Sequence, residues 1–121
     1  MTKKQIKAKY KKETEKLVNI LKEYQPEKII LFGSVAQDRA RPDSDLDLCI
    51  IKKFRGSKLD QHQKITDLLW EHDYSYKIEP DVCIYAPEVF NRELKEFHPF
   101  IEEINNTGRI LYDKDRAKAK G

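Results

Sequence analysis

An acidic residue stands inside the apolar run Leu46-Asp47-Leu48-Cys49-Ile50-Ile51, and this restricts the chain more than any other feature. A short apolar run with β-branched residues reads as a buried strand. A carboxylate left unpaired inside such a strand costs several kcal/mol. The strand, placed at Asp45–Lys52, must therefore keep one face open or partnered at Asp47. Side chains alternate faces along a strand, so Asp45 and Asp47 point the same way. Two neighbouring carboxylates resist joint ionisation unless a cation lies between them. Hard divalent cations such as Mg²⁺ take oxygen ligands of this kind, usually alongside substrate phosphates. The pair suggests a metal-nucleotide site.

The rest of the pattern alternates helix and strand. Residues 3–24 read as a helix, with Tyr10, Thr14, Leu17, Leu21 and Tyr24 at helical spacing and Pro26 as its stop. Residues 28–32 form a second apolar strand, broken by Gly33-Ser34, with a short helix expected from Val35 to Arg39. A helix over 59–72 places Leu59, Ile65, Leu68, Leu69 and His72 near one face. A third strand covers 78–85, with Pro80 near its start. Pro87 and Pro99 suit the first turns of two further helices, the second with Phe100, Ile101 and Ile104 inward. Gly108 suits a helix end, and Arg109–Tyr112 a last short strand. The order α-β-α-β-α-β-α-α-β implies an α/β domain of the α+β type, one small sheet covered by helices. One domain is expected over 1–112, opened by a lysine-rich helix, with a basic, disordered tail over 113–121.

Charge excludes several classes. The 121 residues carry 24 basic and 21 acidic side chains, a formal charge of +3, which does not mark a dedicated nucleic-acid binder. Lysines crowd the first helix and the tail, as solvated faces do. There is no apolar run long enough to span a membrane and no apolar signal core. Cys49 and Cys83 read as buried, reduced thiols. No paired cysteines or His/Cys cluster points to zinc. A cytoplasmic location is expected.

A third carboxylate, Asp81, precedes the apolar run Val82-Cys83-Ile84. If its strand pairs beside Asp45–Lys52, all three acids meet at one end of the sheet. Three carboxylates can hold two Mg²⁺ ions about 4 Å apart, an arrangement suited to phosphoryl displacement. Asp81 is then well placed to take a proton from an incoming hydroxyl. Gly33 lets backbone approach a phosphate closely. The free N–H groups after it, with the Ser34 hydroxyl, can hold the phosphates. Arg39, Arg41 and Lys52 are weaker candidates for phosphate contact.

Together, the strand Ile29–Phe32, Gly33-Ser34, the ten-residue spacer, Ser44-Asp45-Leu46-Asp47-Leu48 and the later Asp81 resemble the minimal nucleotidyltransferases of the polymerase β superfamily. The resemblance spans residue 28 to about 112. It implies a small mixed sheet flanked by helices, metal ligation by Asp45, Asp47 and Asp81, and triphosphate binding at Gly33 and Ser34. The reaction implied is transfer of AMP from ATP to a hydroxyl with release of pyrophosphate. Val35-Ala36-Gln37-Asp38 stands where many relatives carry arginines and a glycine, which leaves further phosphate contacts open. A catalytic core without an acceptor domain is similar to the antitoxins of HEPN/MNT pairs, which adenylylate a tyrosine on their helical toxin. That implies a HEPN-type toxin as partner and substrate. The alternatives are an antitoxin acting by contact alone, and transfer to a small-molecule hydroxyl.

Overall fold

The computed structural model describes residues 1–120, with side chains through Ala117; Gly121, the end of the expected tail, lies outside the described residues. Helix α1 (Lys3–Leu21) opens on a capping box. The Thr2 hydroxyl accepts from Gln5 N–H, and the Gln5 side chain accepts from Thr2 N–H. A 3-10 turn at Lys22–Tyr24 ends it, with Gln25 left-handed at φ 58° before Pro26. Strand β1 (Lys28–Phe32) leads into the short helix α2 (Gly33–Ala36). This helix starts at the glycine, two residues earlier than the sequence suggests. Strand β2 (Leu46–Ile51), helix α3 (Lys58–Glu71) and strand β3 (Pro80–Tyr85) follow. Helices α4 (Pro87–Lys95) and α5 (Pro99–Thr107) each place proline in their first turn, and β4 (Arg109–Asp113) closes the sheet.

The sheet runs β3-β2-β1-β4, with β2 parallel to β3 and antiparallel to β1, and β4 antiparallel to β1. Alternation along the strands gives each face its own core. Ile29, Leu31, Leu46, Leu48, Ile50 and Ile84 face α1 and α3, where Leu17, Leu21, Ile65 and Leu69 are buried. Ile30, Phe32, Cys49 and Ile51 face α4 and α5, against Phe90, Ile101 and Ile104. Each such fully buried aliphatic side chain contributes about 1.5–3 kcal/mol. Both cysteines are free, Cys49 buried and Cys83 half-buried. Among the described residues no helix is long and apolar enough to cross a membrane.

Three local expectations are corrected. Leu59 lies in the first turn of α3 and turns to solvent, because the buried stripe of that helix begins at Gln61. Phe100 is 45 % exposed, at the margin of the α5 stripe set by Ile101 and Ile104. Lys114–Lys120 form a helix, α6, where sequence predicts disorder. Its start is held by Asp113, whose carboxylate accepts the Asp115 N–H, and by the Lys114 N–H donating to the Glu27 carbonyl. The corner between α4 and α5 holds Phe97 left-handed at φ 59° and 77 % exposed. There the Phe97 N–H donates to Leu94 and the His98 N–H to Glu93, a helix ending in which glycine is usual at the left-handed position.

Candidate active site

Because β2 lies between β1 and β3, register decides what gathers around Asp47. Phe32 opposes Asp47 on one side and Asp81 opposes it on the other. Opposed residues share a face, so Phe32, Asp47 and Asp81 form a row across three strands on the α4/α5 side of the sheet. The row lies at the sheet end where β1 passes into Gly33. Asp45 precedes β2 by one residue and is exposed; Asp81 is also exposed, and Asp47 is half-buried.

Asp47 is the strained member. Burial raises its pKa to about 6, with the neighbouring Asp81 and Asp45 charges adding to the rise, as do a hydrogen bond to Asp81 and the charge of Glu103 on α5. A proton or a cation relieves this destabilised anion. Gly33 touches the same group. A β-carbon there would collide with the Asp47 Oδ2 and stand 3.1 Å from its Cγ, and Gly33 has φ 76°. Glycine is therefore required twice, for its left-handed backbone and for the close approach to the carboxyl.

The turn before Asp45 is tied to α1. The Tyr10 hydroxyl lies within hydrogen-bond reach of the Arg41 carbonyl at 3.1 Å and of the Ser44 carbonyl. The Ser44 hydroxyl accepts the Arg41 N–H at 2.8 Å. Burial raises the Tyr10 pKa, with Asp43 and Asp45 adding to the rise. Beyond α2, Asp38 is left-handed at φ 57° and pairs with Arg109 at 3.1 Å and Lys7 at 3.9 Å.

The structure thus brings Gly33, Asp47 and Asp81 into contact range and puts Ser34 and Asp45 at the margins. Among the described residues no three His, Cys, Asp or Glu side chains are grouped as ligands of one ion. The donors nonetheless suit a hard dication, since the half-buried Asp47 carboxyl is crowded by like charges. Of the weaker candidates, Arg39 is exposed and donates to the Gln37 side chain, and Arg41 is exposed. Lys52 lies at the other end of β2, about 16 Å along the strand from Asp47. It donates to the Tyr24 carbonyl and covers the Tyr24 ring, so it belongs to the fold. A cavity of about 410 Å³ on the same sheet face also lies at that far end, bounded by Lys28, Ile30, Ile51 and Phe90. The carboxylate row is open to solvent instead. Sequence reasoning did not single out Glu103 or Tyr10. Helical spacing from Phe100 could have pointed to Glu103; nothing local marks Tyr10, whose partners are over thirty residues away.

Comparison with known proteins places these features in context. The family described as Polymerase beta, Nucleotidyltransferase matches residues 15–117. A relative in Methanocaldococcus jannaschii, described as a candidate protein adenylyltransferase, is 35 % identical over 88 residues. That match covers 72 % of this chain and 58 % of the relative, so the chain spans little more than half the length of that protein. Among solved structures, a nucleotidyltransferase candidate from Sulfolobus solfataricus superposes with a TM-score of 0.63 at 11 % identity, covering 94 % of this chain and 89 % of that one. A toxin-antitoxin structure with AMP-PNP superposes at 0.53 and 17 % identity, covering 88 % and 77 %. These two likenesses show a shared fold.

Proposed function

Since the chain belongs to the polymerase β nucleotidyltransferase family, we propose that it transfers AMP from ATP to a hydroxyl, the acceptor being a tyrosine of a HEPN-type toxin that it thereby silences. The observation that carries the reading is the row Phe32–Asp47–Asp81 with Gly33 packed against Asp47. It sets carboxylates beside a glycine turn able to approach phosphate. Support for a protein acceptor comes from the M. jannaschii relative, described as a candidate protein adenylyltransferase. Support for a toxin partner comes from the fold shared with the toxin-antitoxin structure that holds AMP-PNP.

In this reading Asp45, Asp47 and Asp81 hold Mg²⁺, which when bound offsets phosphate charge and aligns the reacting oxygens. The backbone N–H groups from Gly33 onward and the Ser34 hydroxyl hold the triphosphate. The acceptor oxygen bonds to the α-phosphorus as the bond from that phosphorus to the bridging oxygen breaks. Pyrophosphate leaves, and Asp81, exposed at the sheet edge, takes the acceptor's proton. Positioning and charge do most of the catalytic work in such transfers.

The test incubates α-labelled ATP and Mg²⁺ with a lysate of the source cell, using the wild-type chain and Asp47→Asn. A protein band labelled only by the wild type is expected. Label on no protein, or equal label with the variant, would reject protein adenylylation. A variant that still neutralises its toxin would identify an antitoxin acting by contact.

A further inference from the structure

The residues assigned so far hold the phosphates and the reacting hydroxyl; the nucleoside half of the substrate has no partner among them. α5 lies over the sheet face that carries the carboxylate row. Its Phe100 ring stands edge-to-face on Phe32, with centroids 5.6 Å apart and planes at 86°. Phe32 is both the residue before Gly33 and the partner of Asp47 across the strands. One turn further along α5, Glu103 is near enough for its charge to act on Asp47. The helix therefore runs beside the site, with Phe100 at one end of the row and Asp81 at the other.

Packing alone does not account for Phe100. Its neighbours Ile101 and Ile104 are each 1 % exposed, whereas Phe100 is 45 % exposed. An aromatic ring held against Phe32 and nearly half exposed is suited to receive a flat ligand. The spacing also fits. Opposed side chains such as Phe32 and Asp47 stand about 5 Å apart, which with the ring separation places Phe100 within roughly 10 Å of the carboxyl. That is the order of distance between the phosphates of a nucleotide and its base.

We propose that Phe100 is the stacking platform for the nucleobase of the bound nucleoside triphosphate. The proposal rests on the nucleotidyltransferase reading and adds the element that reads the base. Stacking uses the π-face that every base has, and is tolerant of its hydrogen-bonding edge. The site should therefore prefer purines for their larger face and discriminate weakly between adenine and guanine.

The test measures binding of AMP-PNP and of inorganic tripolyphosphate, each with Mg²⁺, to the full chain by calorimetry. Phe100→Leu keeps an apolar side chain on Phe32 and removes the ring; Phe100→Tyr keeps the ring. Stacking of this kind predicts an increase of about tenfold in the AMP-PNP Kd for Phe100→Leu and a change of less than about twofold for Phe100→Tyr. Tripolyphosphate should bind all three proteins alike. AMP-PNP binding by Phe100→Leu at wild-type strength overturns the proposal and leaves the nucleotidyltransferase reading standing. Equal weakening of tripolyphosphate overturns it too, since the ring would then only support the fold. Failure of the wild type to bind either probe rejects the nucleotidyltransferase reading, and the proposal with it.

Discussion

Asp47→Asn should stabilise the metal-free fold while abolishing transfer. The pKa of Asp47 rises from an ordinary 3.8 to about 6 in the fold, mainly through burial. A carboxyl whose pKa is raised by folding holds its proton more tightly in the folded state. Its stabilising contribution is complete below about pH 4, is lost as pH climbs through about 6, and is absent at neutral pH. At 1.36 kcal/mol per unit the full loss is at most about 3 kcal/mol, and partial exposure of the carboxyl reduces it to about 2. Asparagine keeps the shape and removes the charge. In EDTA at pH 7.5 the variant should therefore melt about 8 °C above the wild type. At pH 4.5, where Asp47 is protonated in the fold but mostly ionised in the unfolded chain, only about a third of that advantage should remain. Adding Mg²⁺ should raise the wild-type Tm and leave the variant unmoved. The measurement is a thermal melt followed by circular dichroism at both pH values. An asparagine variant no more stable than the wild type at pH 7.5, or one with the same advantage at pH 4.5, would refute the account of Asp47 as a strained anion.

Other substitutions probe the surrounding structure. Gly33→Ala should cost about 2 kcal/mol or more in denaturant unfolding, since a β-carbon at φ 76° meets the Asp47 carboxyl, and label transfer should fall with it. Tyr10→Phe should cost about 1 kcal/mol and slow transfer by loosening the Arg41–Asp45 turn; an unchanged rate would show that the turn is held by other contacts. Phe97→Gly should raise stability by about 1 kcal/mol, seen as a higher Tm, because the residue is left-handed at φ 59° and only glycine adopts that conformation without strain.

What could be read from the chain follows the strength of its periodic signals. The apolar run around Asp47 and the strand before Gly33 are short, β-branched and bounded by turns. Their faces and ends therefore appear in the sequence within a residue or two. The meeting of Asp47 with Asp81 was legible as a condition on strand pairing, and the parallel β2/β3 register meets it. The antiparallel reversal between β1 and β2 was not legible, because it depends on how the short α2 and the turn after it redirect the chain. Nor was the hold of Tyr10 on the Ser44 carbonyl, a contact across thirty-four residues. Phe100 misled because helical spacing groups it with Ile104, while one residue's rotation at the edge of a stripe decides between core and solvent. The basic end reads as disordered from its charge, yet the Asp113 carboxylate accepts the Asp115 N–H at the start of a helix there.

The two-faced sheet also governs which changes of length the gene can absorb. In β2, leucines and Ile50 fill one core while Asp47, Cys49 and Ile51 face the other way. Loss of one codon after Asp47, with the rest of the strand kept in register, would turn the carboxyl into the α1/α3 core and bring Leu46 to the reactive face. Gain of two codons would restore the face but carry Asp47 past both Gly33 and Asp81. Insertions and deletions compatible with activity should therefore fall outside β2, as in the exposed stretch around Gly56, where length alters neither face.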